Sequence, residues 1–430
     1  MDAGASGGGH SREGNDVDGP KSADAPRNAD ADAVVVPADH GGSSLACIRS
    51  LGRLGLTVVG AAADESAPAL ASDHCDERRI VPSPSTDLDG YRDALLALAA
   101  RPDVRTLVPL YEPDIYVLAK ERESFAERVA TPWCDFERLR RAQDRRELFA
   151  VADSVGVPTP ETALLSEWDD WSSRSVVKPR YTLTVEDGGV TYPEVSVFEP
   201  GEEPDADALE AEMGHEPIVQ SHVPDGGEYG FFAVCDEGEP VRTFQHRRVR
   251  SYTYDGGASV YREAVDIPDL SAAGERLLSA LDWHGPAMVE FRRDERDGTF
   301  RLLEVNPRFW GSLPLAVSAG VDFPATYYRL ATGQTERTRS STEGADPGSE
   351  GAGSGYETGV GCHTLRGEAS YLHSVARYDY DHAATPSLPR SVASVVSSVV
   401  RQPNFDYFSV EDPSPFVRDL ANTARDALGD

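Results

Sequence analysis

The chain has 430 residues and a formal net charge of −32 at pH 7, since 73 Asp and Glu residues outnumber 41 Lys and Arg residues. This acidic balance argues against a nucleic-acid partner, because backbone binding needs a basic surface. No stretch contains the roughly 18 consecutive apolar residues of a membrane helix, so no membrane-spanning segment is expected.

The content of lysine and cysteine indicates the salt and redox environment in which such a chain is expected to fold. Only Lys21, Lys120 and Lys178 are lysines, and the other basic residues are arginines. An acidic excess with so little lysine is typical of salt-in halophilic archaea, where molar salt shortens the Debye length to about 3 Å and screens self-repulsion. The first 33 residues contain no apolar secretory signal. Five scattered cysteines without CxxC spacing predict buried free thiols in a cytoplasmic protein.

The N-terminal part of the chain has the pattern of an open α/β unit. Residues 1–31 are rich in Gly, Asp and Ala and predict a disordered acidic tail. The elements predicted next are a strand, a Gly-rich turn, a helix, a strand, a helix and a strand: Ala33–Pro37, Asp39–Ser43, Leu45–Leu54, Thr57–Gly60, Tyr91–Ala100 and Thr106–Leu110. Ser43 or Ser44 is expected to cap the first helix. We assign this βαβ-containing domain to residues 32–134.

The middle of the chain predicts an α+β domain over residues 135–337. A helix over Ala142–Ser154 leads into the Pro-containing linker Gly156–Pro160. Short β runs then alternate with Gly turns, and a helix fits Leu270–Leu281. The β runs are Ser175–Lys178, Ile218–Gln220, Tyr229–Cys235, Val241–Phe244, Ala287–Arg293 and Phe300–Val305.

The remainder of the chain divides into two segments. Residues 338–356 are Ser, Gly, Glu and Asp with almost no large apolar residue, which predicts a flexible surface insertion. Residues 357–430 predict a C-terminal strand and helical extension. The helical part is indicated by apolar residues at helical spacing, namely Val392, Val395, Val396 and Val399.

Two carboxylates interrupt apolar runs and are candidates for a metal site. Glu290 and Glu304 would be costly to bury without an ion pair or a bound cation. A two-residue turn at Asp297–Gly298 would place them on opposite faces, whereas a three- or five-residue loop would place them side by side. In the second case Glu290, Glu304 and Asn306 share one face and offer oxygen ligands to a hard divalent cation such as Mg²⁺.

Other residues have side chains suited to a nucleotide. Lys178 closes an apolar strand, and its compact ammonium suits a phosphate group. Arg308 follows Asn306 and offers a forked guanidinium to phosphate oxygens. Between them, the strand Ile218–Gln220 runs into a Pro/Gly turn and Glu228, where backbone groups can bind an adenine and a carboxylate can bind ribose hydroxyls.

As a set, these residues resemble the ATP-grasp superfamily, in particular its carboxylate–amine ligases and the ATP-binding half of carbamoyl-phosphate synthase. The resemblance covers roughly residues 33–335. It implies an α/β plus α+β architecture, in which a Rossmann-like pre-ATP-grasp open sheet precedes a two-lobed ATP-grasp domain. It also implies that ATP and Mg²⁺ are bound, with Mn²⁺ as an alternative ion.

The resemblance implies a role for each matching residue. Lys178 would hold the α- and β-phosphates. Gln220, Ser221 and Val223 would line the adenine slot, with Glu228 at the ribose. The ligands of one or two metal ions would be Glu290, Glu304 and Asn306. Arg308 would steady the γ-phosphate and the acyl phosphate.

The chain departs from the family pattern at two points. The family often has an Asp-Lys pair before the linker, and here Asp144-Arg145 stands in its place, so Arg145 is expected to replace the phosphate-binding lysine. A Gly-rich flap over the phosphates has one candidate, Gly188-Gly189, which fits a hairpin turn equally well. The basic run Gln245–Arg250 is expected to bind an anion, either the substrate carboxylate or the ATP phosphates, with Arg247 as the cofactor contact, or else to be an ion-paired strand.

The activity implied is ATP-dependent ligation of a carboxylate to an amine through an acyl phosphate, releasing ADP and phosphate. The expected partners are small-molecule substrates, and homo-oligomerisation is left open. The alternatives are a nucleotide-binding module without ligase activity and a synthetase that uses bicarbonate or a phospho-sugar acid. A dinucleotide oxidoreductase is disfavoured, because Asp39–Ser44 lacks G-x-G-x-x-G spacing.

Overall fold

The computed structural model of the protein describes most of the chain. It covers residues 31–39, 41–254, 256–334, 355–378 and 386–428. The predicted tail and the predicted low-complexity insertion lie outside these stretches, apart from residue 31 and residues 355–356. Within the stretches, no helix combines the length and the apolar character needed to cross a membrane. The five cysteines are buried free thiols, as predicted.

The N-terminal unit is a parallel sheet flanked by helices. Its elements are β1 (Ala33–Pro37), α1 (Gly41–Arg53), β2 (Thr57–Ala62), β3 (Glu77–Ile80), α2 (Leu88–Ala99), β4 (Val104–Leu107), α3 (Glu112–Lys120) and α4 (Arg122–Ala126). The strand order is β3-β2-β1-β4, with every neighbouring pair parallel. Because β1 lies inside the sheet, all five of its residues are buried, which explains its uninterrupted apolar sequence.

One local prediction for this unit is wrong, and one strand was not predicted. Neither Ser43 nor Ser44 caps α1, because the helix already begins at Gly41, and the Ser44 hydroxyl instead donates to the carbonyl of Pro37 at 2.7 Å. The strand β3 was not predicted, because it is a charged and mostly exposed edge strand. Charged residues on a sheet edge discourage pairing with another chain, so the apolar pattern that reveals inner strands is missing there.

The chain continues into antiparallel sheets. The elements are α5 (Phe136–Gln143), α6 (Arg145–Ser154), β5 (Thr162–Leu164), β6 (Ser175–Lys178), β7 (Thr184–Glu186), β8 (Gly189–Thr191), β9 (Ser196–Phe198), α7 (Ala206–Met213), β10 (Ile218–Ser221), β11 (Asp225–Asp236), β12 (Glu239–Thr253), β13 (Gly256–Ala264), α8 (Pro268–Ala280), β14 (Gly285–Asp294), β15 (Phe300–Asn306), α9 (Leu313–Ser318), α10 (Phe323–Ala331) and β16 (Gly361–His363). The four-stranded sheet has the order β5-β10-β6-β9, and the six-stranded sheet has the order β15-β14-β11-β12-β13-β16. A parallel sheet followed by antiparallel sheets confirms the predicted α/β plus α+β architecture.

The helix predicted over Ala142–Ser154 begins later than expected. Asp144 caps α6 by accepting from the backbone amides of Arg146 and Glu147, so the helix starts at Arg145. This cap places Arg145 in the first turn of α6, with its side chain buried against the four-stranded sheet.

A close backbone contact fixes β14 against the end of the N-terminal unit. Gly285 opens this strand with φ +94°, and a Cβ at this position would lie 2.4 Å from the carbonyl oxygen of Pro132. Trp133 and Trp283 are fully buried beside this contact and belong to a single apolar core that includes both units. The strand that carries Glu290 is therefore held firmly by the N-terminal unit.

The C-terminal extension ties the two units together. Beyond β16 it contains α11 (Leu365–Arg377), α12 (Leu388–Arg401) and α13 (Ser414–Leu428). Residues 406–412, which we call the C-terminal strap, end in two buried ion pairs. Asp406 accepts from Arg262 on β13 at 2.5 Å, and Asp412 accepts from Arg49 on α1 at 2.8 Å. The strap therefore links the six-stranded sheet to the N-terminal unit.

Candidate active site

Glu290 and Glu304 lie opposite each other on β14 and β15, which confirms the predicted pairing. The predicted cause of the pairing, the loop length, is wrong. Phe291 pairs with Leu302 while Glu290 pairs with Glu304, so Leu303 is an extra residue in a β-bulge. Without this bulge, Leu303 would stand opposite Glu290 and Glu304 would turn to the other face.

The two neighbouring carboxyl groups have opposite pKa shifts. Burial and repulsion from Glu304 raise the pKa of Glu290 to about 8, although Arg248 acts in the other direction. Burial alone would raise the pKa of Glu304, but Arg145, a hydrogen bond with Glu290 and Lys178 lower it to about 2. At neutral pH the pair therefore holds one proton on Glu290, which a bound cation would displace.

Each of the three predicted metal ligands is held by a guanidinium group. The pairs are Arg248–Glu290 at 2.9 Å, Arg145–Glu304 at 3.3 Å and Arg308–Asn306 at 3.1 Å. The Asn306 amide also donates to Glu304 at 3.3 Å, so the three oxygen-bearing side chains are close together on one face.

This donor set fits Mg²⁺, which prefers carboxylate and amide oxygens. Among the described residues, no group of three or more His, Cys, Asp or Glu side chains is placed to hold a metal ion, so a metal here would need the amide oxygen of Asn306 as its third protein ligand.

Lys178 and Arg145 approach Glu304 from the four-stranded sheet and from α6. Lys178 ends β6 and lies opposite Ile218 on β10. Burial and repulsion from Arg145 lower the pKa of Lys178 to about 8, against the attraction of Glu304. Its ammonium has no salt-bridge partner among the described residues, so its charge is available to a ligand. Arg145 donates to the carbonyl of Pro179 at 2.6 Å, which places both cations side by side.

The predicted adenine slot lies at the end of β10. Gln220 is buried, and its amide donates to the hydroxyl of Thr162 at 2.9 Å. Ser221 pairs with Ser175 of β6, and Val223 is buried. Their contact with adenine stays a prediction.

Glu228 lies between two arginines rather than facing open solvent. It forms salt bridges with Arg248 and Arg292, and its side chain is 17% exposed. The Nε atoms of both arginines are buried and have no hydrogen-bond partner within the described part of the chain. A ribose at Glu228, which stays a prediction, would therefore compete with two guanidinium groups.

The expectation for Arg247 is wrong in its direction. Glu290, Gly230 and His246 lie in one row across β14, β11 and β12, so Arg248, two positions after His246, points to the same face as Glu290. Arg247 points to the opposite face and pairs with Glu263 at 2.6 Å. The residue of this basic run that faces Glu290 is its neighbour Arg248, which could not be told from Arg247 in the sequence because the phase of the strand was unknown.

Glu112 of the N-terminal unit also belongs to the site and was not foreseen. It is 5% exposed, accepts from Arg308 Nε at 3.0 Å and accepts from Gln143 at 2.9 Å. Repulsion from Glu304 contributes to its raised pKa, after burial. The only signal in the sequence was its place directly after the strand and loop that end at Tyr111, where an open α/β sheet binds ligands.

The Gly188-Gly189 pair is a hairpin turn, one of its two predicted interpretations. Asp187 and Gly188 both have positive φ, at 48° and 81°, and they connect β7 to β8. The turn contacts the N-terminal unit, since the amide of Leu88 donates to the carbonyl of Gly188 at 2.8 Å. Its action as a flap over phosphates stays a prediction.

Comparison with known families gives matches in two parts of the chain. Residues 216–347 match the family described as "ATP-grasp in the biosynthetic pathway with Ter operon". Residues 44–132 match the "PylC-like, N-terminal domain" family. The carbamoyl phosphate synthase large chain of Methanoculleus marisnigri is 25% identical over 203 residues, which are 43% of this chain and 18% of that protein. The chain thus matches about a fifth of the length of this relative.

Solved structures with the same fold cover most of the chain. The biotin carboxylase domain of Hydrogenobacter thermophilus 2-oxoglutarate carboxylase, in complex with MgADP and bicarbonate, has a TM-score of 0.55 and 18% identity over 72% of this chain and 70% of that one. The N5-carboxyaminoimidazole synthetase of Staphylococcus aureus, complexed with ADP, has a TM-score of 0.53 and 15% identity over 71% of this chain and 78% of that one. These structures show the fold, and the two family matches assign the chain to the ATP-grasp superfamily.

Proposed function

We propose that this protein is an ADP-forming ligase that activates a carboxylate as an acyl phosphate and joins it to an amine. The observation that carries the proposal is the convergence of Lys178, Arg145 and Arg308 on the oxygen donors of β14 and β15. Phosphoryl transfer needs positioning and charge neutralisation rather than a covalent nucleophile of the protein. A site of cationic side chains and carboxylates provides both the positioning and the charge neutralisation.

The residues would divide the work as follows. Lys178 and Arg145 neutralise the phosphates of ATP and keep them near Glu304. Glu290, Glu304 and Asn306 hold Mg²⁺, which when bound supplies positive charge to the phosphate oxygens. Arg308 orients the γ-phosphate and then the acyl phosphate through its remaining N–H donors.

The reaction consists of two displacements. A carboxylate oxygen of the substrate attacks the γ-phosphorus and ADP leaves. The amine nitrogen then attacks the acyl carbon, the carbon–oxygen bond to phosphate breaks, and the amine releases protons to phosphate and solvent. Both substrates are proposed to be small molecules. The amine nucleophile is proposed separately from the first step, because synthetases that activate bicarbonate use the same first step.

A hydroxylamine trap tests this function without knowledge of the amine. The protein is incubated in molar KCl with ATP, Mg²⁺, hydroxylamine and a panel of carboxylic acids, and hydroxamate and ADP are measured. Hydroxamate that depends on ATP and on one class of acid is the expected result. Glu304→Gln should abolish it, whereas Glu210→Gln, an exposed acid on α7, should not.

Two results would contradict the proposal in different ways. ATP binding without ADP or hydroxamate formation, with every acid tested, would leave a nucleotide-binding module without ligase activity. ADP formation that requires bicarbonate and yields no hydroxamate would favour carboxyphosphate chemistry instead.

A further inference from the structure

Glu112 is a buried carboxylate that connects three parts of the molecule. It is the first residue of α3 in the N-terminal unit, and both of its oxygens are used. Oε1 accepts from Arg308 Nε at 3.0 Å, and Oε2 accepts from Gln143 Nε2 at 2.9 Å. Gln143 ends α5, and Arg308 follows β15, so a single side chain joins the first unit to both sides of the site.

A carboxylate at this position has an electrostatic cost. Burial disfavours its charged form, Arg308 offsets part of this, and repulsion from Glu304 adds to the cost. A glutamine would also make two hydrogen bonds, without that repulsion: its carbonyl would accept from Arg308, and its NH₂ group would donate to Gln143 once the Gln143 amide turned round. The charge of Glu112 is therefore unexplained by packing alone, and Arg308 is the cation that it faces.

Counting the donors of Arg308 indicates what Glu112 achieves. A guanidinium has five N–H donors. Within the described residues, Nε donates to Glu112, Nη1 to the carbonyl of Phe309 at 2.8 Å and Nη2 to Asn306 at 3.1 Å. Two N–H groups remain, one on each Nη atom. Because Glu112 holds Nε, the plane of the guanidinium is fixed, and with it the direction in which the two unused N–H groups can donate to a ligand.

We propose that Glu112 is a positioning residue that fixes the guanidinium of Arg308 for phosphoryl transfer from the opposite structural unit. This inference rests on the proposed function. It means that the site is complete only when the N-terminal unit is docked against the six-stranded sheet. Glu112 would affect the γ-phosphate and the transfer step, and would leave the binding of ADP unchanged.

Nucleotide affinity provides the first test. Calorimetry in molar KCl with Mg²⁺ compares ADP with a non-hydrolysable ATP analogue for wild type, Glu112→Gln and the matched control Glu123→Gln, an exposed acid on α4. Glu112→Gln should lower the affinity for the ATP analogue about tenfold, as expected for one weakened charged hydrogen bond, and change that for ADP less than twofold. An equal loss for both nucleotides would mean a structural role and would overturn the inference.

A double-variant cycle tests whether Glu112 acts through Arg308. With the acid found active in the hydroxamate screen, Glu112→Gln should slow hydroxamate formation at saturating ATP about 100-fold, in addition to the tenfold loss of affinity for ATP, since small misplacements can cost that much. Arg308→Lys, which cannot offer an Nε donor, should be slow and insensitive to the further change Glu112→Gln. Losses that multiply in the double variant, or a wild-type rate for Glu112→Gln, would overturn the inference.

The remaining outcomes separate this inference from the proposed function. If wild type binds both nucleotides but makes no hydroxamate, the ligase proposal fails and the affinity ratio still decides the role of Glu112. If Glu112→Gln does not fold, Arg308→Lys takes its place in the affinity test. It should weaken binding of the ATP analogue and leave binding of ADP unchanged, and a wild-type ratio of the two affinities contradicts the inference. If wild type binds neither nucleotide, both proposals fail.

Discussion

The Glu290 carboxyl shares a hydrogen bond with the Glu304 carboxylate directly across the β14–β15 pair. Burial and mutual repulsion disfavour two negative charges on this pair, so one proton stays with it in the absence of a metal ion. The pKa of Glu290 is raised to about 8, so the proton lies on this carboxyl group at neutral pH. It must leave before a cation binds, and metal affinity should therefore increase with pH.

We expect metal affinity to rise with pH up to about 8. Below that pH a cation must displace the proton of Glu290, which reduces affinity by up to tenfold per pH unit, and above it the slope should disappear. Titration with Mn²⁺ by electron paramagnetic resonance between pH 6 and pH 9 measures this. Glu290→Gln should bind weakly at every pH without the slope. Wild-type affinity that is constant over this range would refute the assignment of the shared proton.

Lys178 should be the one lysine that is essential for turnover. Lys178→Ala removes a positive charge beside the phosphates, which is worth roughly 10² to 10³ in rate. Lys178→Arg should restore activity only in part, because its fork has a different shape. Lys120→Ala is the matched control, since Lys120 is exposed and its ammonium makes a hydrogen bond and a cation–π contact with Tyr116. ATP turnover of the three variants in molar KCl provides the comparison.

The pH dependence of turnover is a second test of the role of Lys178. Its pKa is lowered to about 8, so its charge is present at pH 7 and is lost as pH rises through 8. Turnover should therefore fall on the alkaline side, and Lys178→Arg should lack this fall because arginine stays protonated. If Lys178→Ala keeps wild-type turnover, Arg145→Ala on that background decides whether Arg145 has taken over its role.

The ion pair at one end of the strap should contribute strongly to folding. Asp412 has no exposed side-chain surface and accepts from Arg49, Ser72 and the amide of Asp73. Asp412→Ala leaves Arg49 buried without its carboxylate and should cost about 3 to 5 kcal/mol. Glu411→Gln is the matched control, because its exposed pair with Arg53 should contribute less than about 1 kcal/mol. Urea unfolding in molar KCl measures both, and equal effects would show that the strap is not held by this pair.

Stability should depend on salt concentration. Lowering KCl from molar to about 0.1 M lengthens the Debye length from roughly 3 to 10 Å and restores repulsion in a chain of net charge −32. The melting temperature measured by circular dichroism should therefore fall. Sucrose at the same osmolality separates screening from preferential exclusion, because it strengthens burial without screening charge. A melting temperature that is the same at both salt concentrations would contradict the halophile interpretation.

The sequence predicts best what depends on neighbouring residues. The bounds of β1 and the order strand, helix, strand follow from local periodicity, and the apolar runs with Glu290 and Glu304 predict the two strands of the site. The β-bulge at Leu303 could not be predicted, because an extra residue in a strand is visible only against its partner. The correct pairing was therefore predicted for the wrong reason.

The residues that were predicted wrongly or not at all are those whose direction depends on strand phase and those whose partners are distant in the sequence. Arg247 and Arg248 are equivalent in the sequence, and only the pairing of β12 with β11 decides which one faces Glu290. Glu112 could not be assigned to Arg308, because 196 positions separate them. In α12 the predicted apolar face is wrong in part, since Val396 is 56% exposed and the buried side includes Ser391 and Ser398.

The strap has a consequence for the order in which the protein can assemble during synthesis. Arg49 belongs to the first helix, yet its carboxylate partner lies 363 positions further along the chain. At translation rates of about 5 to 20 residues per second, roughly 20 to 70 s pass between the emergence of the two residues from the ribosome. During that interval the N-terminal unit must keep a cation hydrated that the finished protein buries. Nascent chains stalled before residue 412 should therefore be more easily cleaved by protease in this unit than released chains.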